Sequence, residues 1–182
     1  MTLLALAVAV GYAVGSISPA TLLARRRGID LSAVGSGNPG AANAGRALGR
    51  RTGALVAVFD VVKGAAPAAG FGAVDHRAGL VAGVAAVLGH VTSPLLKGKG
   101  GKGVATAAGA VLGSHPLWAP VVLLTWLVVL AGTRWIALAS VLAGLSVLVV
   151  ALVAGNDVLW AAALAGVIGL RHRRNFRRSA KH

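Results

Sequence analysis

The chain has 182 residues, 57% of them hydrophobic, a mean hydropathy of +0.80 and no cysteine. Disulfides and thiolate metal sites are excluded, and the composition is far more apolar than that of an ordinary soluble domain. Eighteen Lys and Arg against four acids, none of them Glu, leave a net charge of +14; in a soluble protein that would point to nucleic acid, so the placement of the charges has to decide. They fall between apolar runs. In chain order these are Leu3–Ala24, Gly53–Val74, Ala78–Leu96, Val104–Gly113, Leu117–Gly132, Trp135–Ala154 and Val158–Leu170. Several approach the roughly 20 residues a helix needs to cross a bilayer. The fourth is short, as a broken or re-entrant helix packed inside protein would be. The expected fold is therefore an all-α integral membrane protein of about seven helices, forming a single domain over 1–182.

The first run carries no Lys or Arg before Arg25, which argues against a cleaved secretory signal. With seven crossings and the N-terminus outside, segments 25–52, 97–103, 133–134 and 171–182 lie inside. They hold sixteen of the eighteen basic residues, as the positive-inside rule requires. Arg77 is alone in an outside loop, and Lys63 lies within the second run. The charge is thus accounted for by an anionic inner lipid surface. A nucleic-acid partner is not expected, since only eight residues are aromatic. Residues 171–182 read as a basic cytoplasmic tail.

The first inside loop contains GSGNPG, Gly35 to Gly40. The letters fit a dinucleotide fingerprint, with Asp60 about where a ribose-binding acid would stand. That reading needs a preceding strand and a βαβ unit, and the neighbours here are membrane helices. The readings left open are a flexible Gly-rich turn and a cradle for a phosphate or carboxylate. For the cradle, Gly35, Gly37 and Gly40 allow close backbone approach, and Ser36 and Asn38 add short polar side chains. Pro39 precedes a predicted helix Ala41–Leu48 whose first amides would face an anion, with Arg46 two turns in.

In the second run, Asp60 and Lys63 share a helical face and are expected to pair. The third run ends at His90, either a packed helix-end residue or a hydrogen-bonding group or base beside the next loop. That loop holds GGKG, Gly100 to Gly103. It lacks the Walker hydroxyl and spacing, so an ATPase is not expected. Gly101 and Gly103 would present amides beside the Lys102 ammonium. His172 and Asn175 lie three apart near the C-terminus.

Taken together, GSGNPGAANAGRALG, DVVKG, GH followed by GGKGVAT, RWIALAS and HRRNFRR resemble, in order and over residues 11–178, the acyl-phosphate:glycerol-3-phosphate acyltransferases of bacterial membranes. The resemblance implies a multi-pass enzyme of the cytoplasmic membrane with its site facing the cytoplasm. It implies acyl transfer from acyl phosphate to the 1-hydroxyl of sn-glycerol 3-phosphate, giving lysophosphatidic acid and phosphate, with neither cofactor nor metal. Carried over by motif, the phosphate-handling loop falls on Ser36, Gly37, Asn38 and Gly40, followed by Asn43 and Arg46. The motif histidine is His90, the motif lysine Lys102 and the later serine Ser140. The C-terminal motif falls on His172, Arg173 and Asn175. Catalytic roles are expected for His90, Lys102, Arg46 and Asn175, and substrate contacts for the remainder. Ala42 and Ala137 stand where the family has hydroxyl residues. No Ser-His-Asp triad is visible by spacing, so direct transfer without an acyl-enzyme is expected. The rival classes are a small-anion transporter and an inactive membrane paralogue.

Overall fold

Ser16-Ile17-Ser18-Pro19 interrupts the first apolar run. In the computed structural model, which describes residues 2–179, the run forms two helices, α1 (Thr2–Ser16) and α2 (Pro19–Arg25). Ser18 caps α2: its Oγ accepts from the Thr21 amide at 3.3 Å, and Pro19 occupies the first turn, where its missing N–H costs nothing. The expected single helix over Leu3–Ala24 is corrected accordingly. The break turns carbonyls outward that a continuous helix would consume. The Lys63 ammonium donates to Ile17 O and the Ser93 hydroxyl to Ser16 O, both at 2.7 Å.

The remaining helices are α3 (Ala41–Leu48), α4 (Arg50–Gly72), α5 (His76–Thr92), α6 (Val104–Ser114), α7 (Ala119–Thr133), α8 (Ile136–Ala154) and α9 (Val158–Ser179), with a 3₁₀ turn at Pro94–Leu96. There is no strand among the described residues. Connectors of two or three residues reverse the chain between α4 and α5, α7 and α8, and α8 and α9. The Gly-rich segments 26–40 and 97–103 and the end of α9 therefore gather at one end of the bundle. The connectors 73–75, 115–118 and 155–157 gather at the other. Residues 171–179 of the basic tail continue α9, and 180–182 lie outside the described residues.

Four segments, Thr2–Arg25, Arg50–Gly72, His76–Leu96 and Ile136–Ala154, are long and apolar enough to cross a membrane. α4 shows the logic. Its outer face exposes Leu55, Val58, Phe59 and Val62, while Asp60 and Lys63 are buried inside. That is the reverse of a soluble helix and the arrangement lipid demands. α1, α4, α5 and α6 meet through backbone at their closest points, whereas α8 and α9 pack through side chains such as Val147, Trp160, Leu164 and Ile168. Gly11 and Gly15 of α1 lie on the Ala82 and Ala86 carbonyls of α5, and Gly64 of α4 lies on the Thr106 carbonyl of α6. Such contact supplies dispersion energy where apolar burial is not a driving force.

Candidate active site

One buried side chain braces the GSGNPG stretch of the first Gly-rich segment. Asn43, on the first turn of α3 and 1% exposed, accepts from the Ser36 amide at 3.0 Å and donates to the Leu31 and Val34 carbonyls, each at 3.1 Å. The glycines differ in purpose. Gly35 and Gly37 have φ of 57° and 68°, a region only glycine enters freely, and a side chain at Gly35 would also strike the Asn43 amide oxygen. Gly40 has an ordinary φ and precedes α3 as its N-cap. Ser36 and Arg46 are exposed, and Asn38 and Pro39 half-buried, at this end of the bundle.

The second segment packs on His90. The Gly101 amide donates to the His90 carbonyl at 3.1 Å. A Cβ on Gly100 would overlap that carbonyl, and one on Gly101 would overlap the imidazole Nε2. Both glycines are therefore required by close packing, and their φ angles are not positive. Gly103, with φ 84°, starts α6. Lys102 between them is half-buried. Its pKa is lowered by burial, then by Arg171 and Arg46.

Arg171 is the residue that sequence reasoning missed. Its Nη2 donates to Gly100 O at 2.7 Å and its Nε to Gly101 O at 3.2 Å, clamping the GGKG segment to the end of α9. Burial lowers its pKa, with Arg174 and Arg173 adding to the effect. His172 beside it is 1% exposed and lies 2.8 Å from Ile168 O through Nδ1. That contact assigns the proton to Nδ1 and leaves the lone pair on Nε2. Burial, followed by the Lys102 and Arg171 charges, outweighs the Ile168 hydrogen bond and lowers its pKa, so the ring is neutral near pH 7. Arg173 points to the exposed side and Asn175 is half-buried.

Beneath this layer Asp60 Oδ1 stands 2.7 Å from Lys63 Nζ and 3.6 Å from His90 Nδ1. All three side chains are buried. The carboxylate faces His90 without forming a hydrogen bond to it at that distance. Ser140 is carried by the first turns of α8. It is 1% exposed, donates to Ile136 O at 2.7 Å and accepts from Trp126 Nε1 at 3.4 Å. A cavity of about 530 Å³ opens between the two Gly-rich segments. Its lining includes Arg25, Ser32, Gly37, Lys97 and Lys99; Lys102 and His172 are not among the lining residues.

The structure thus brings Lys102, Arg46, Arg171 and His172 together from three separate stretches of chain, beside two glycine segments. These cations stand at one end of an integral membrane protein that is all-helical over its described residues. The family model described as Glycerol-3-phosphate acyltransferase matches residues 5–182. The chain is 40% identical to the glycerol-3-phosphate acyltransferase of Aquifex aeolicus over 178 residues, covering 94% of this chain and 92% of that protein. It is 43% identical to that of Geobacter sulfurreducens over 176 residues, covering 93% and 90%. The crystal structure of PlsY (YgiH), an integral membrane glycerol 3-phosphate acyltransferase, in its glycerol 3-phosphate form superposes with a TM-score of 0.93 at 38% identity, covering 98% of this chain and 92% of that one. Its lysophosphatidic acid form gives 0.90 at 36% identity with the same coverage. The chain belongs to the glycerol-3-phosphate acyltransferase family.

Proposed function

We propose that this protein transfers an acyl group from acyl phosphate to the 1-hydroxyl of sn-glycerol 3-phosphate, giving lysophosphatidic acid and inorganic phosphate, at the cytoplasmic face of a bacterial membrane. The observation that carries the reading is the clamp of Arg171 on the GGKG segment, which sets Lys102 among cations in a chain without Glu. Both substrates bring a phosphate, and one of them leaves as phosphate. Cations fixed before reaction stabilise the charge that grows on the leaving group, and two substrates held in register supply proximity.

In the reaction the acceptor oxygen bonds to the acyl carbon and the carbon–oxygen bond to phosphate breaks. The hydroxyl proton needs an acceptor. His90 and His172 are 7% and 1% exposed, one with its ring against Gly101 and the other bonded to Ile168. Their burial favours the leaving phosphate as the final proton acceptor. On this reading His90 and Asn43 position the two glycine segments, while Arg46, Lys102 and Asn175 meet substrate. Ser36, Gly37, Asn38 and Gly40 contribute the amides and short side chains of one phosphate cradle, and Gly101 and Gly103 those of the other. Arg173 adds positive potential from the rim. Asp60 and Lys63 brace α4 against the α1 break and the base of His90. Transfer is direct.

The test is the purified protein with palmitoyl phosphate and labelled glycerol 3-phosphate. Lysophosphatidate well above a Lys102→Ala control is expected; none above it would refute the proposal. A covalent acyl-protein trapped in a single turnover would refute direct transfer.

A further inference from the structure

At the end of the bundle opposite the glycine segments, three connectors bring their polar side chains to one point. His76 opens α5, His115 follows α6, and Asp157 precedes α9. Asp157 Oδ2 lies 2.8 Å from His76 Nε2 and 2.9 Å from His115 Nε2. The three potential ligand atoms fall within 4.8 Å of one another, the sole such grouping of His, Cys, Asp or Glu among the described residues. We propose that this cluster binds a late first-row divalent cation, Zn²⁺ foremost, through the two Nε2 atoms and one Asp157 oxygen, with a water in the fourth position.

Three observations bear on it independently of the acyltransferase reading. First, His115 Nε2 is buried and lacks a hydrogen bond of acceptable geometry although the carboxylate is 2.9 Å away; the oxygen sits off the axis along which the ring would donate. A nitrogen so placed has an unused lone-pair direction. Second, an Asp just before a helix ordinarily caps its first amides. Asp157 does not; its φ of 50° turns the carboxylate toward the two imidazoles instead. Asp75, by contrast, caps α5 through the Ala78 amide at 2.8 Å and takes no part. Third, the cluster has a fixed wall. Trp118 stacks on the His115 ring with centroids 3.9 Å apart and planes 7° apart, and Trp160 stands 5.4 Å away. Trp160 is itself pinned by donating to Leu80 O at 3.0 Å.

The donor set suits the ion. Two imidazoles and a carboxylate with one open position is a common zinc arrangement, and imidazole also accepts Co²⁺ and Ni²⁺. Bonds of about 2.0–2.2 Å put tetrahedral ligand atoms roughly 3.3 Å apart. The carboxylate therefore needs to withdraw by about half an ångström from each nitrogen, and His76, whose side chain is 55% exposed, is free to follow it. The bound ion would tie three connectors of one end together.

The test uses the full chain, without a polyhistidine tag, in detergent after chelator treatment and dialysis. Zn²⁺ binding is measured by equilibrium dialysis, and Co²⁺ binding by quenching of tryptophan emission, since Trp118 lies on the His115 ring. One ion per chain is expected, with a rise in apparent Tm. Asp157→Asn and His76→Gln should each weaken binding at least about tenfold. His76→Gln alters an exposed side chain and keeps the fold, so it separates ligand loss from unfolding. Absence of stoichiometric binding, or binding equally tight in His76→Gln, would overturn the proposal.

Discussion

Arg171→Gln tests whether the end of α9 holds the GGKG segment in its working position. The guanidinium makes two hydrogen bonds to backbone carbonyls, one short at 2.7 Å and one longer at 3.2 Å. Bonds from a charged donor are worth about 1.5–3 kcal/mol. Arg171 is only half-buried, so water recovers part of each, and a combined loss of about 2–3 kcal/mol follows. If that energy keeps Lys102 on the leaving phosphate, kcat/KM falls about 30- to 150-fold, mainly in kcat. Arg171→Lys reaches one carbonyl at a time, and a loss of about 5- to 10-fold is expected. The pH profile provides the second readout. Lys102 must be protonated to serve an anion, so activity is lost as pH rises through its pKa. Burial sets that pKa below its ordinary value, and Arg171 and Arg46 lower it further. Removing the Arg171 charge therefore moves the alkaline limb to higher pH in Arg171→Gln and leaves it near the parent position in Arg171→Lys. The assay is initial rate with palmitoyl phosphate and labelled glycerol 3-phosphate from pH 6.5 to 10. Unchanged kcat/KM, or an alkaline limb that moves downward in Arg171→Gln, would refute the reasoning.

Asp60→Asn leaves the buried Lys63 ammonium with neutral acceptors, the Asn amide oxygen and the Ile17 carbonyl, and no partner carboxylate, and breaking such a pair costs about 3–5 kcal/mol. A marked drop in apparent Tm at fixed scan rate is expected, with most of it recovered in Asp60→Leu/Lys63→Met; no recovery in the double variant would show that the pair is not the source. Gly64→Ala places a methyl on the Thr106 carbonyl, so α4 and α6 must part, at a cost of about 1–3 kcal/mol. Gly70→Ala, with nothing within 4 Å of the new carbon, should instead raise stability by up to about 1 kcal/mol; equal Tm shifts in the two variants would contradict the packing argument. Asn43→Asp keeps an acceptor for the Ser36 amide but sets a carboxylate against the Leu31 and Val34 carbonyls. Its activity should fall nearly as far as that of Asn43→Ala, whereas near-parental rates in Asn43→Asp would argue against the brace.

Much of the bundle was legible because membrane burial writes itself on composition. Long apolar runs separated by basic loops have few other physical solutions, and the helix Ala41–Leu48 begins where Pro39 and Gly40 allow it. The Ser-x-Ser-Pro signal at Ser16–Pro19 was present as well, a capping serine before a first-turn proline, but it sat inside an apolar stretch whose mean hydropathy concealed it. The C-terminal motif pointed to Arg173, whereas Arg171 makes the clamp. Residues two apart on a helix differ by about 200° of rotation, and which of two arginines faces a neighbour depends on how α9 is turned against the GGKG segment.

Sequence alone determined the medium, the sign of the charge at each loop, the family resemblance and the stretches in which phosphate chemistry was expected. Those follow from hydrophobicity, electrostatics and local backbone freedom, which act over a few residues. Only the tertiary structure decided that Asp60 faces His90 across thirty positions, that Gly100 and Gly101 are small because an imidazole and its carbonyl lie against them, and that His76, His115 and Asp157 meet at the far end. Each of these is a contact between helices. Its cause is the rotation and depth at which two backbones pack, and neither quantity is carried by any one segment.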